Sequence, residues 1–433
     1  MTADRSRLSI LILHRLGDPL AWRTAVRDLE YLLPDHLPEH DYVVHASEQP
    51  LPDFVKQTRF HAIILGPTFL CARFAPWTFE QVSADYAFIR DSDAFKIALP
   101  QDDYDCSQIM DRWAMDWRID ALYAACSQQW SVLYPEYSRT GRIHQGYTGY
   151  IPDSWLLRFR DPKPHAERRI DVSYRANRLP ANYGRIGRIK TEIGERFAAH
   201  PAAAGLRLDI STDPSALIYG ERWHDFIEDS RFCLAANSGS SLLDPLGTIR
   251  RCVEQQLIRN PAATFEHIEA QCFPGEDGRY SFTAISPRNL EAALAHTVQI
   301  ATPGEYSGML SAGDHYLPLA PDCSNAPEVV ARMRDQALVS KVASQARDAV
   351  LAVPELRAAT HANRLVAQIA DGAAAKRVQG TTPMEMQRVI ERYHNEVAGR
   401  SAAFWASRRR RQRLRDAAVA LGARRVKRWL MSS

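Results

Sequence analysis

At 433 residues the chain is too long for one hydrophobic core and calls for two or three domains. Hydrophobic residues at 45% and charged residues at 24% exclude a disordered chain, and a net charge of +3 gives no whole-protein basic field for nucleic acid. The seven cysteines, Cys71, Cys106, Cys126, Cys233, Cys252, Cys272 and Cys323, are scattered with no CxxC pair, which argues against a structural zinc or a disulfide framework and fits unpaired thiols in a reducing cytoplasm.

The run LSILIL at 8–13 reads as a strand buried on both faces of a parallel sheet and ends at His14. It is too short for a signal core or a membrane span, and no other run approaches spanning length, so a soluble cytoplasmic protein is expected. A helix over 18–33 follows, then strands at 42–44, 62–65, 95–100 and 121–126, with helices at 79–90 and 111–117. Such alternation predicts βαβ units in a doubly wound sheet. Polar residues at the strand ends, His14, His45, Thr68 and the group from Gln101 to Tyr104, would then share one crevice edge. Asp102 and Asp103 stand out there, because paired carboxylates directly after an apolar strand need a partner or a task.

A Pro- and charge-rich passage at 158–169 breaks the pattern and places the first domain at 1–160, a second at 161–345 and a helical region at 346–433. The second domain opens with a strand at 170–174. Arg175, Arg178, Gly184 and Gly187 then precede a helix over 188–199, an arrangement suited to an anion. Further on come a strand at 206–210, a helix at 223–230 and the stretch FCLAANSGSSLLD at 232–244. That stretch reads as a buried strand opening into a tight turn, where Ser238, Gly239, Ser240 and Ser241 can bring N–H and hydroxyl groups to a phosphate or sugar. A helix at 248–258, a strand at 262–265, the segment SFTAISPR at 281–288 and a helix at 289–301 complete the domain. The last segment, 400–433, sets many arginines beside Phe404, Trp405, Leu414, Val419, Leu421, Val426, Trp429 and Leu430. A basic amphipathic helix of this kind fits an anionic membrane surface, at about 1 kcal/mol per cation. Nucleic-acid binding and a plain solvated helix are the competing readings.

The motifs YRANRLP at 174–180, NSGSSLLD at 237–244, ISPR at 285–288, GEYSGML at 304–310, HYLPL at 315–319 and DCSN at 322–325, in that order, resemble bacterial glycosyltransferases of the GT-B fold. The narrower likeness is to family-1-like and CgeB-like proteins of surface polysaccharide synthesis. The resemblance implies an α/β protein of two facing Rossmann-like domains with the active site between them, extended by C-terminal helices. It implies a nucleotide-sugar donor held in the second domain by Arg175, Arg178, Ser238, Gly239, Ser240, Ser241, Ser286, Arg288, Tyr306, Ser307 and Gly308. A glycan or lipid-linked acceptor would sit against the first domain, with no cofactor, no metal and no nucleic-acid partner. The glutamate pair spaced by seven residues that retaining members often carry is not intact here, so the stereochemical outcome stays open. For inversion the acceptor's base would be Asp102 or Asp103, with His14 behind them. Two alternatives accompany this reading: Asp103-Tyr104-Asp105 as the DxD metal motif of GT-A transferases, and a non-catalytic GT-B-like protein that binds a glycan or a partner at the membrane.

Overall fold

The computed structural model describes residues 7–420. Six parallel strands form the first sheet: β1 (Ser9–His14), β2 (Asp41–Ala46), β3 (Ala62–Leu65), β4 (Phe95–Ala98), β5 (Ala121–Ala124) and β6 (Ile143–Gln145), in the order β2-β1-β3-β4-β5-β6. The run at 8–13 behaves as a two-sided strand should: Ile10, Leu11, Ile12 and Leu13 are all buried, with helices on both faces. A second parallel sheet comprises β7 (Ile170–Arg175), β8 (Leu208–Ser211), β9 (Ser230–Ala235), β12 (Val298–Ala301) and β13 (Leu317–Pro318), in the order β13-β12-β9-β7-β8. Between them in sequence, β10 (Ser238–Ser240) and β11 (Phe282–Ala284) form an antiparallel pair.

The helices that matter for the site are α1 (Thr24–Glu30), α2 (Gly184–Ala199), α3 (Thr248–Arg259), α4 (Phe265–Cys272), α5 (Pro287–Leu294), α6 (Gln336–Leu351), α7 (Ala358–Ala375), α8 (Pro383–Tyr393) and α9 (Gly399–Ala420). After α6 packs on the second sheet, the chain crosses back: α7 covers the first sheet through Leu365, Val366 and Ile369, and Tyr393 at the end of α8 meets His45 on β2.

Several expectations need correction. The segment at 262–265 is a loop, and Thr264 caps α4 by accepting from His267 N. The helix expected over 289–301 stops at Leu294; His296 takes a left-handed conformation and β12 follows. The tight turn expected at 237–241 is strand β10. The cysteines are not all unpaired, because Cys252 on α3 and Cys272 on α4 form a disulfide.

In α9, Trp405 is buried against the body, Arg409 pairs with Asp18 and Ser401 accepts from Gln49. Trp405, one of the aromatic residues expected to meet lipid, therefore packs on protein instead. Leu421, Val426, Trp429 and Leu430, and the side chain of Val419, lie outside the described residues. No described helix is long and apolar enough to cross a membrane.

A hold between the domains forms around the segment after β4. Asp244 N donates to Tyr104 O at 3.0 Å, Cys106 N donates to Asp244 O at 2.7 Å, and Arg250 on α3 pairs with the buried Asp105 carboxylate. Tyr104 also stacks on Phe282 of β11, with ring centres 6.2 Å apart. The backbone bridge and the ion pair reinforce each other, since both place α3 against the same turn.

Candidate functional site

In the second sheet β7 is flanked by β8 on one side and β9 on the other, so connections leave it in opposite directions. A crevice opens where that reversal occurs, at the carboxyl ends of β7 and β9. It is a cleft of about 500 Å³ floored by Arg175, Ala176, Ala235 and Ala236, and its far wall is residues 23–26 at the start of α1 in the first domain.

Two cations converge on it. Lys190, on the helix that follows β7, donates from Nζ to Ser238 Oγ at 3.1 Å. Burial lowers its ammonium to about 8, with neighbouring Arg288 pushing the same way and Asp102, from the first domain, opposing. Arg288, on the first turn of α5, gives one Nη to the carbonyl of Arg175, and its guanidinium stands 5.4 Å from the rings of both Tyr174 and Trp223. Its Nε is buried without a partner. Trp223 is oriented in turn by its indole N–H, which donates to Glu291 Oε2 at 2.6 Å. The cleft thus presents an ammonium, an incompletely satisfied guanidinium, aromatic faces and two carboxylates, Glu221 and Glu291.

The residues expected to bind donor separate into two groups. Ser238, Ser286, Arg175 and Arg288 line the cleft. Arg175, however, directs its guanidinium into the protein, to Ala216 O, Tyr174 O and both the carbonyl and carboxylate of Asp209 at 2.7–3.0 Å, and stacks on Phe226. Its side chain is 11% exposed and ties β7 to β8, so its donors are already occupied. Arg178 pairs with Glu195 on the surface, outside the cleft lining.

The anion expected at the start of α2 is supplied internally: Asp277 accepts from Arg185 N, and Ser241 Oγ accepts from Ile186 N while donating to Asp277. Ser240 is buried, bonding the backbone of Leu242 in both directions. Gly239 has φ +145°, and a Cβ there would lie 1.9 Å from Phe282 O, so only glycine permits the β10–β11 pairing. Ser286 caps α5 together with Asn289. Tyr306 donates to Thr302 O from the interior, Ser307 Oγ accepts from Ile285 N, and Gly308 turns the exposed loop between them and Met309. None of these three lines the cleft.

The first-domain candidates diverge as well. Asp102, in a left-handed backbone conformation, accepts from Tyr104 Oη at 2.6 Å and acts electrostatically across to Lys190. Asp103 is wholly buried, accepting from Cys126 N and Tyr134 Oη, and burial pushes its carboxyl upward. His14 is 2% exposed between Trp22 and Tyr31, and burial together with His45 lowers it to about 3. Both side chains lie in the interior of the first domain and neither is among the residues that line the cleft. Lys190, Trp223, Glu291 and residues 23–26 were not anticipated. The basic run RIGRIK at 185–190 was the one available signal. Among the described residues no three His, Cys, Asp or Glu side chains converge in a metal-binding group.

No protein-family model matches the chain, and no curated protein does. Solved structures do. An α-glucosyltransferase in complex with UDP and a 13-mer DNA containing an HMU base is similar at a TM-score of 0.50 and 8% identity, over 84% of this chain and 100% of that one. Anabaena Alr3699/HepE in complex with UDP-glucose aligns at 0.45 and 13% identity, over 84% and 99% of the two chains. A glycosyltransferase from Rickettsia africae ESF-5 aligns at 0.46 and 9%, over 85% and 99%. The likeness to the α-glucosyltransferase agrees with the two parallel sheets and the cleft between domains, and identifies the fold of this chain as GT-B.

Proposed function

We propose that the chain is a glycosyltransferase that moves a sugar from a nucleotide-sugar donor to a glycan or lipid-linked glycan in bacterial cell-surface polysaccharide synthesis. The observation that carries this reading is the convergence of Lys190 and Arg288 at the switch point of the second sheet. As the bond between sugar and diphosphate breaks, negative charge gathers on the leaving oxygens. Fixed cations aimed there stabilise it, and loss of one such donor costs about 3 kcal/mol. Lys190 and Arg288 take the part first expected of Arg175 and Arg178. An α-glucosyltransferase of the same fold holds UDP, which makes UDP the first nucleotide to test.

For acceptor activation we retain Asp102, the member of the expected pair that sits within electrostatic range of Lys190. Two cations in the cleft support transfer without a bound metal, so chelation by EDTA should leave turnover unchanged. The exposed arginines of α9 support a place at the cytoplasmic face of an anionic membrane.

Thermal stability against a panel of nucleoside diphosphates and their sugars tests the reading: one nucleotide family should stabilise the protein, and a Lys190→Met, Arg288→Met variant should lose that response. Stabilisation by none of them would overturn it. The burial of Asp103 and His14 favours one second reading, a non-catalytic GT-B protein that binds a glycan or partner. Turnover of any sugar nucleotide by the purified chain eliminates that alternative.

A further inference from the structure

We propose that the Cys252–Cys272 disulfide is a redox-sensitive tie between the interdomain hold and the helix that carries Lys190, so that a dithiol reductant weakens the donor cleft. Two cysteines 20 residues apart join α3 to α4. Each helix has a different attachment.

On one side, α3 is fixed to the first domain. Arg250, two residues before Cys252, pairs with Asp105 and stands 4.6 Å from the Phe74 ring. Its backbone N–H donates to Asp244 Oδ2 at 2.8 Å, and Asp244 is the residue whose backbone bridges to Tyr104 and Cys106. On the other side, α4 is fixed to α2. Glu266 pairs with Arg188 at 2.7 Å and Glu269 approaches Arg185 at 3.8 Å. Beyond Cys272 the chain reaches Asp277, which caps the start of α2.

Between these attachments the apolar core is small. Its fully buried members are Leu242, Val253, Ile268 and Phe273. Ala181, Ile249, Leu257, Ala263 and Phe265 pack around it only partly buried, and a covalent link holds the two helices in register more firmly than these contacts alone. The disulfide is the covalent staple, and both cysteines are partly exposed, whereas Cys106, Cys126, Cys233 and Cys323 are buried. A dithiol therefore has access. Its two thiols pass two electrons and two protons to the bridge: the S–S bond breaks, Cys252 and Cys272 become thiols, and the reductant closes to its own disulfide. Separated from α3, α4 no longer reinforces the direct route from the hold to α2 and Lys190, which runs through Ser241 to Tyr183 O and Ile186 N.

The test uses the full chain purified without reductant. Thiol titration after denaturation should count five, rising to seven after dithiothreitol. Native-state amide exchange should then accelerate on reduction about tenfold in α3, α4 and residues 105–108, and UDP affinity by calorimetry should fall about tenfold, within the usual range of coupling between sites. The double variant Cys252→Ser, Cys272→Ser should match the reduced protein with or without dithiothreitol. If it does not fold, wild-type protein reduced under native conditions makes the same comparison. Seven thiols before reduction would overturn the proposal. So would exchange at 105–108 that ignores reduction, or an unchanged UDP affinity. The affinity readout rests on the donor-site reading. Failure of UDP to bind either form strikes that reading, while exchange at 105–108 still decides the tie.

Discussion

The buried ammonium of Lys190 makes donor affinity depend on pH in a direction that can be worked out. Its pKa in the empty cleft is about 8 against an ordinary 10.5, because burial disfavours the charged form. A bound diphosphate restores the charged form, so binding takes up a proton whenever the free lysine has lost it. With a free pKa of about 8, roughly nine-tenths of the protein carries the ammonium at pH 7 and about one-eleventh at pH 9. Affinity should therefore fall about tenfold over that interval, or about 1.4 kcal/mol, continuing downward until the pKa of the complex is reached. The assay is calorimetric titration with UDP-glucose, whose diphosphate diester has no proton to lose in this window. Lys190→Arg supplies the internal control: a guanidinium keeps its charge, so the variant's profile should be flat. A flat wild-type profile, or an equal slope in the arginine variant, would refute the placement of the diphosphate at Lys190.

Three other perturbations probe the architecture. Arg250→Met leaves the Asp105 carboxylate, 2% exposed, without its cation and should cost about 3 kcal/mol in urea unfolding, whereas Arg250→Met with Asp105→Leu should recover most of that loss. Gly239→Ala sets a Cβ 1.9 Å from Phe282 O at a φ of +145°, and should cost about 1–3 kcal/mol while displacing Ser238, so that nucleotide affinity falls with stability. Asp171 is held near a pKa of about 2, against an ordinary 3.8, chiefly by its bond from Arg207. Its stabilisation is present above 3.8 and lost as pH falls toward 2, so the wild type and Asp171→Asn should differ in melting temperature at pH 6 and converge near pH 2.

The reach of the sequence varied with the range of the interaction. Two-sided strands such as LSILIL and the core of β9 announce themselves, because burial on both faces demands unbroken apolar runs. The strand β12 did not. Leu290, Ala292, Ala293, Leu294 and Ala295 continue an apolar pattern into Val298 and Ile300, and the break comes at His296, a non-glycine left-handed residue with no Gly or Pro to mark it. The site shows the same limit. An arginine beside a Gly-rich loop looks available for phosphate, yet Arg175 is occupied by carbonyl groups 34 and 41 residues away. Lys190, inside a helix of exposed cations, gives no sign in sequence that its ammonium alone turns inward to Ser238. The disulfide joins residues 20 apart on different helices, a spacing that names no partner.

The basic helix at the C-terminus illustrates how packing changes a functional expectation without removing it. As a sequence, α9 offered aromatic residues for insertion and arginines for attraction. In the fold Trp405 is 6% exposed, and Arg409 is held by Asp18. Among the described side chains of α9, Arg400, Arg408, Arg410, Arg411 and Arg413 remain exposed for a partner, with Leu414, 56% exposed, as the apolar residue among them. Attraction to an anionic bilayer at about 1 kcal/mol per arginine then has little insertion behind it, and charges at the surface are screened over about 10 Å at 0.1 M salt and about 3 Å at 1 M. Residues 7–420 should therefore sediment with anionic vesicles at low salt, release as salt approaches about 1 M, and ignore neutral vesicles at any salt. An inserted tryptophan helix would stay bound, because burial of apolar surface is not screened. Salt-resistant binding by that fragment, or binding to neutral lipid, would show that the packed face of α9 opens at the membrane. Its Arg409–Asp18 pair would then be the contact that has to break.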